Sequence, residues 1–249
     1  MENKKVKVSR IMIFAINVCL LYLIGRTFIS SLLLTYSELE KPWCDCISEG
    51  ITFILTAAMC LVQQNDIRSY GLCRGTYKGS LKYIIPLAVV ALMLTPYFFM
   101  FKVKEPLIPA IVDVVYVGIM EELVFRGAVF KGTEVLTDEH KAVLISSVLF
   151  GLFHLVNLSG NFAVSYVLLQ VAFNAVIGLG LAALRAKTGS IFICMIIHIF
   201  LDINGLFGKS VSWMEKAQIV MYFVVGILLY VIYRLEKSKT SRTPSSPAS

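Results

Sequence analysis

Glu121, Glu122 and Arg126 stand inside an apolar run from Ile108 to Phe130, and His154, His198 and Asp202 stand on two further apolar stretches. A charged side chain at the centre of a bilayer costs at least ~2.5–3.5 kcal/mol on insertion scales, so charges kept in such runs point to a use. Glu122 and Arg126 are four apart, share a helix face and can pair. Glu121 is turned about 100° away at 3.6 residues per turn and needs partners on other helices. The predicted partners are His154, His198 and Asp202, of which the last two are four apart on one face. Imidazole and carboxylate are good ligands for a divalent metal, zinc above all. A metal bound by His154, His198 and one carboxylate would keep an open position where bound water is acidified to near neutrality while the second carboxylate serves as general base, so Glu121, His154, His198 and Asp202 are the candidate metal set. A metal-free version uses the same residues. Glu121 and His154 would activate water, while His198 and a protonated Asp202 would stabilise the oxyanion. Taken singly, each group has a plainer reading, since a buried His more often bridges helices and Glu122 with Arg126 alone is an ordinary ion pair. The conjunction is what carries weight. His140, in a loop, is read as solvated.

The elements that must position these groups are membrane helices. The chain has 249 residues, of which 57% are hydrophobic and 16% charged, with a mean hydropathy of +0.78. This reads as an all-α, polytopic membrane bundle of about eight transmembrane helices rather than a soluble domain. The spans are placed at 11–34, 46–62, 81–101, 108–130, 142–157, 163–184, 190–207 and 215–233. Residues 1–10 form a basic N-terminus, and the first run, with no small-residue cleavage site, is read as a retained anchor. An interfacial amphipathic piece is expected at 66–80. The catalytic core is expected over 108–207, and a disordered tail over 238–249. Ser190 is a candidate N-cap. The cysteines are scattered, and Cys44-Asp45-Cys46 is only a weak metal or disulfide signal. Arg26, Glu49 and Asp113, nearer helix ends, are expected to snorkel or pair.

The net charge of +7 would suit nucleic acid, but the basic residues lie in short loops and at the termini, which excludes that class. One side holds Lys4, Lys5, Lys7 and Arg10, then Arg68, Arg74, Lys78 and Lys82, then Lys131, Lys141, Arg185 and Lys187, and finally Arg234, Lys237, Lys239 and Arg242. The other holds only Lys41, Lys102, Lys104, Lys209 and Lys216. The positive-inside rule then predicts a multi-pass cell-membrane protein with both termini cytoplasmic. Counted at ~1.5 Å per residue from the cytoplasmic ends, Glu121, His154, His198 and Asp202 all fall ~14–20 Å deep. Groups on three separate helices thus meet at one level.

Glu121-Glu122-x3-Arg126, Phe150-x3-His154 and His198-x3-Asp202, in that order on separate helices, resemble the CAAX protease and bacteriocin-processing (CPBP, Abi-type) family of intramembrane endopeptidases. The resemblance covers about Val117 to Asn204. It implies a bundle of about eight helices and hydrolysis of a peptide bond near the cytoplasmic face. Glu121 would activate water alongside His154, His198 and Asp202 would be ligands or oxyanion partners, and Arg126 would hold Glu122. The implied substrate is a membrane-associated or prenylated protein or peptide, in CAAX-type, bacteriocin or pheromone processing, or self-immunity. Many members carry Asn at the place of Asp202, and Asp tilts the chemistry toward a metal. Two other classes remain: a proton- or ion-coupled transporter, which also needs intramembrane Glu, His and Arg, and a non-catalytic immunity or scaffold protein.

Overall fold

A computed structural model describes residues 4–62, 67–92, 106–159, 163–206 and 212–240. The described chain is helical, without strands. It comprises α1 (Lys4–Leu20), α2 (Arg26–Tyr36), α3 (Lys41–Val62), α4 (Leu81–Leu92), α5 (Leu107–Glu122), α6 (Phe130–Leu136), α7 (Glu139–Phe153), α8 (Val164–Thr188), α9 (Phe192–Leu206) and α10 (Ser212–Thr240). Among the described residues, helix falls within each of the eight expected positions. Five stretches are long and apolar enough to cross a membrane: Ser9–Tyr36, Lys41–Val62, Glu139–Leu158, Val164–Thr188 and Ile219–Lys239. Leu81–Leu92 and Phe192–Ile203 are shorter apolar helices. The bundle is thus a multi-pass membrane architecture, as a mean hydropathy of +0.78 requires.

Several boundaries differ from expectation. The third expected span ran to residue 101, and its part beyond Leu92 lies outside the described residues. The last helix continues to Thr240, so the start of the expected tail is helical, and 241–249 lie outside the described residues. Residues 67–80 form one turn and an irregular loop instead of a regular amphipathic element. The loop is pinned to the bundle: Tyr70 is fully buried and stacks on Phe14 at 4.5 Å, and Thr76 N–H donates to the Thr188 carbonyl. Gly71, at φ +88°, allows the reversal. The six cysteines are free thiols.

Helix ends follow local chemistry. Asp138 caps α7, its carboxylate accepting the Lys141 N–H at 2.8 Å, and this bond holds its carboxyl below the usual range. Gly189, at φ +74°, ends α8 and returns its N–H to the Arg185 carbonyl. Ser190 Oγ accepts the Phe192 N–H at the start of α9. Two helices widen to π geometry, at Leu21–Gly25 between α1 and α2 and at Leu123–Val129 between α5 and α6. Both widenings sit beside the polar groups of the interior, where such insertions recur in proteins.

Two apolar clusters flank those groups. One joins α4, α8, α9 and α10 through Leu87, Leu181, Leu184, Ile197 and Leu229. The other joins α1, the Leu123–Val129 segment and α7 through Phe14, Val124, Phe125 and Phe150. Between them α5 lies against α9 at Gly118, where a Cβ would come within 2.6 Å of Ile199 Cγ1 and 3.1 Å of its backbone N. Gly118→Ala is expected to force the two helices apart. Overpacking of this kind costs ~1–3 kcal/mol, to be read as a fall of several degrees in the melting temperature of the detergent-solubilised protein.

Candidate active site

The site starts from one ion pair. On α5 and the widened segment after it, Glu122 and Arg126 face the same way and pair, with Nη1 donating to Oε1 at 2.8 Å and both side chains fully buried. The guanidinium lies over the Phe150 ring at 4.1 Å, and Nη2 donates to the Gly178 carbonyl at 3.4 Å. Gly178 leaves room for it, since a Cβ there would sit 3.2 Å from Nη2.

Glu122 also accepts from His198 on α9, with Nδ1 at 2.9 Å from Oε1. A carboxylate only accepts, so Nδ1 carries a proton and Nε2 is turned the other way. There it meets two more carboxylates, Glu121 Oε2 at 3.7 Å and Asp202 Oδ2 at 3.4 Å. Those two oxygens have no hydrogen-bond partner. Tyr22, from the widened turn between α1 and α2, donates to Glu121 Oε1 at 2.7 Å and so leaves Oε2 facing His198. His154 follows the last residue of α7. Its Nδ1 donates to the Phe150 carbonyl at 3.0 Å, which makes Nε2 the lone-pair nitrogen of the neutral ring. His154 and His198 both set an edge against Phe150, at centroid distances of 5.2 and 5.4 Å.

Glu121, His154 and Asp202 open together into a cavity of about 620 Å³. All six expected site residues therefore belong to one locale: Glu121, His154 and Asp202 line the cavity, and His198, Glu122 and Arg126 stand behind them. The second bond of Glu122, to His198, was not expected. Tyr22 was missed as well. Its signal was present, because Tyr22, Arg26 and Ser30 recur every fourth residue as a polar stripe in the first apolar run. Arg26, Glu49 and Asp113 pair, with Arg26 Nη2 2.5 Å from both Glu49 Oε1 and Asp113 Oδ1, and Arg26 and Asp113 line the same cavity. Asn157 donates to Gln170 at 3.0 Å on its wall. Asn174 is not among the residues lining it.

The donor types around His198 Nε2 suit zinc, and 3.4–3.7 Å is close to the ~3.4 Å edge of a tetrahedron with 2.0–2.2 Å bonds. Among the described residues, however, no three His, Cys, Asp or Glu side chains close on one point as a ligand group. Glu121 and Asp202 each stand beside His198 Nε2, and bringing the three onto one point would take a side-chain rotation.

Residues 103–204 match the family model described as type II CAAX prenyl endopeptidase Rce1-like. No curated protein and no solved structure matches the chain. The matched segment holds Glu121, Glu122, Arg126, His154, His198 and Asp202, whereas Tyr22 and Arg26 lie before it.

Removing Arg126 or Glu122 leaves its partner as an uncompensated buried charge, a loss of ~3–5 kcal/mol. Arg126→Ala and Glu122→Ala are each expected to melt far below the parent. The double variant should recover part of that loss, a coupling measurable in a double-mutant cycle on the purified protein.

Proposed function

Over residues 103–204 the chain belongs to the Rce1-like, type II CAAX prenyl endopeptidase family, and on that footing we propose that it hydrolyses a peptide bond of a membrane-associated or prenylated protein or peptide inside the bundle. The observation that carries the proposal is the pair of partnerless carboxylate oxygens, Glu121 Oε2 and Asp202 Oδ2, on either side of His198 Nε2 in a cavity that also takes in His154. A buried acceptor without a donor costs ~1–3 kcal/mol or more, so a place this polar calls for water or substrate. The residues lining the cavity come from one end of the bundle, and the cavity stops at the level of Glu121.

In the proposed reaction a water between Glu121 Oε2 and His154 Nε2 attacks the scissile carbonyl carbon. Glu121 takes the proton of that water, and Tyr22 holds the carboxylate in position by its bond to Oε1. The carbonyl oxygen becomes an oxyanion facing His198, which as the imidazolium donates from Nε2 while Nδ1–H donates to Glu122. Arg126 balances the charge of Glu122, so the carboxylate orients the imidazole without adding net charge to the site. Glu121 then passes its proton to the departing amine as the C–N bond breaks. If zinc is bound, Glu121, His198 and Asp202 would hold it, and it would acidify the water. The steps above do not run through it.

Loss of a general base costs ~10²–10⁴-fold in rate. Glu121→Gln and His198→Ala are expected to lose at least ~100-fold in cleavage of a fluorogenic farnesylated peptide by the purified protein, with melting temperature retained in Glu121→Gln. Tyr22→Phe is expected to lose about tenfold in kcat with KM little changed, as a positioning residue should. If Glu121→Gln and His198→Ala cut as fast as the parent, the assignment is wrong. The same assay with a chelator separates the two routes: activity lost and restored by zinc supports the metal, and undiminished activity supports the metal-free reaction.

A further inference from the structure

The cavity and the basic residues of this bundle lie at opposite ends. Along the first helix the cavity wall runs from Tyr22 through Arg26 and Ser31 to Leu34, and it reaches Lys41 and Asp45 at the start of α3. That end is tied together by Arg26 with Glu49 and Asp113, Lys41 with Asp45, and Asn157 with Gln170. The other end is tied together by different contacts. Lys82 and Lys187 pair with Glu236, Lys237 pairs with Glu139, and Arg185 donates to the Ser69 carbonyl.

The two ends differ in how many basic residues they carry. By sequence the cavity side has only Lys41, Lys102, Lys104, Lys209 and Lys216, against sixteen Lys and Arg on the other side. The opposite end carries Arg68, Arg74 and Lys78 in the 67–80 loop, Lys131 and Lys141 at the corner between α6 and α7, and Arg234, Lys237 and Lys239 on α10. Lys and Arg in short loops stay on the cytoplasmic side of a membrane, whereas Asp and Glu contribute little to orientation.

We propose that the catalytic cavity opens on the face of the membrane away from the cytoplasm. The scissile bond is then delivered from that side. The substrate class is an exported or membrane-inserted peptide presented at the outer face, and not the prenylated C-terminus of a cytosolic protein. The direction of opening departs from the cytoplasmic-face cleavage that the family resemblance implies. The choice of substrate rests on the proteolytic reading above, while the orientation rests only on charge and on where the cavity lies.

The test reads orientation from both ends. Ser31, exposed in the cavity, and Lys78, exposed in the basic loop, are changed singly to cysteine after the six native cysteines are replaced. In intact bacterial spheroplasts a membrane-impermeant maleimide is expected to label Ser31→Cys and to leave Lys78→Cys unlabelled until the membrane is permeabilised. The reverse pattern overturns the inference. Where the cysteine-free protein does not accumulate, the unaltered chain carries a C-terminal reporter instead. Fluorescence from a protein that matures only in the cytoplasm supports the inference, and activity of a phosphatase that folds only outside overturns it. Cleavage in detergent, where neither face is hidden and both the farnesylated peptide and an unprenylated membrane-inserting peptide are offered, reports separately on the proteolytic reading. An active enzyme with the reversed labelling pattern sinks the orientation alone, and an inactive one with the expected pattern sinks the protease alone.

Discussion

The contact on which the rest of the structure depends is the buried pairing of Arg126 with Glu122. An unpaired charge in a membrane interior costs several kcal/mol, so the guanidinium dictates what surrounds it. Phe150 of α7 supplies a π face at 4.1 Å, Gly178 of α8 supplies a carbonyl and the space to reach it, and His198 of α9 takes the remaining side of the carboxylate. Each partner comes from a different helix. Their relative placement is therefore set by this ion pair and its neighbours together with close helix contact, as at Gly118 against Ile199, since helices in lipid associate through van der Waals packing and interhelical hydrogen bonds.

Two adjacent glutamates acquire different work from this arrangement. Successive residues point about 100° apart on a helix, so Glu122 turns into the ion pair while Glu121 turns to the cavity. His198 joins them, one ring nitrogen on each side. Nδ1 is committed to Glu122 and Nε2 faces Glu121 and Asp202. An imidazole held at one nitrogen has a defined direction at the other. Tyr22 does the same for Glu121, and it comes from a helix outside the segment matched to the Rce1-like family. The N-terminal helices thus contribute to the site and not only to the membrane anchor.

The cavity above these groups is polar for much of its depth. Arg26 with Glu49 and Asp113, and Thr52 with Tyr116 at 2.7 Å, fasten α2, α3 and α5 to one another on one side of it. At the other end of the bundle the 67–80 loop is pinned in place, with Tyr70 buried against Phe14 and Arg185 reaching both the Arg126 and the Ser69 carbonyls.

The helical membrane bundle was legible in the sequence, and six polar positions stood out within its apolar runs, because in lipid a 20-residue apolar run has few alternatives to a helix and a charge within it has few reasons to be there. The i, i+4 spacings of Glu122 with Arg126 and of His198 with Asp202 set those pairs before any tertiary contact formed. Spacing along a helix carries no information about its neighbours, however. That Tyr22 would reach Glu121, that Glu122 would hold His198 as well as Arg126, and that Arg26 would find both Glu49 and Asp113 depended on how helices far apart in the chain rotate and pack. The widened turns at Leu21–Gly25 and Leu123–Val129 add to this, since each shifts the faces of the helix beyond it, and apolar sequence shows no mark of them. The end at which the cavity opens is likewise a property of the assembled bundle, because it follows from which helix ends splay around polar groups and which are drawn together by their salt bridges.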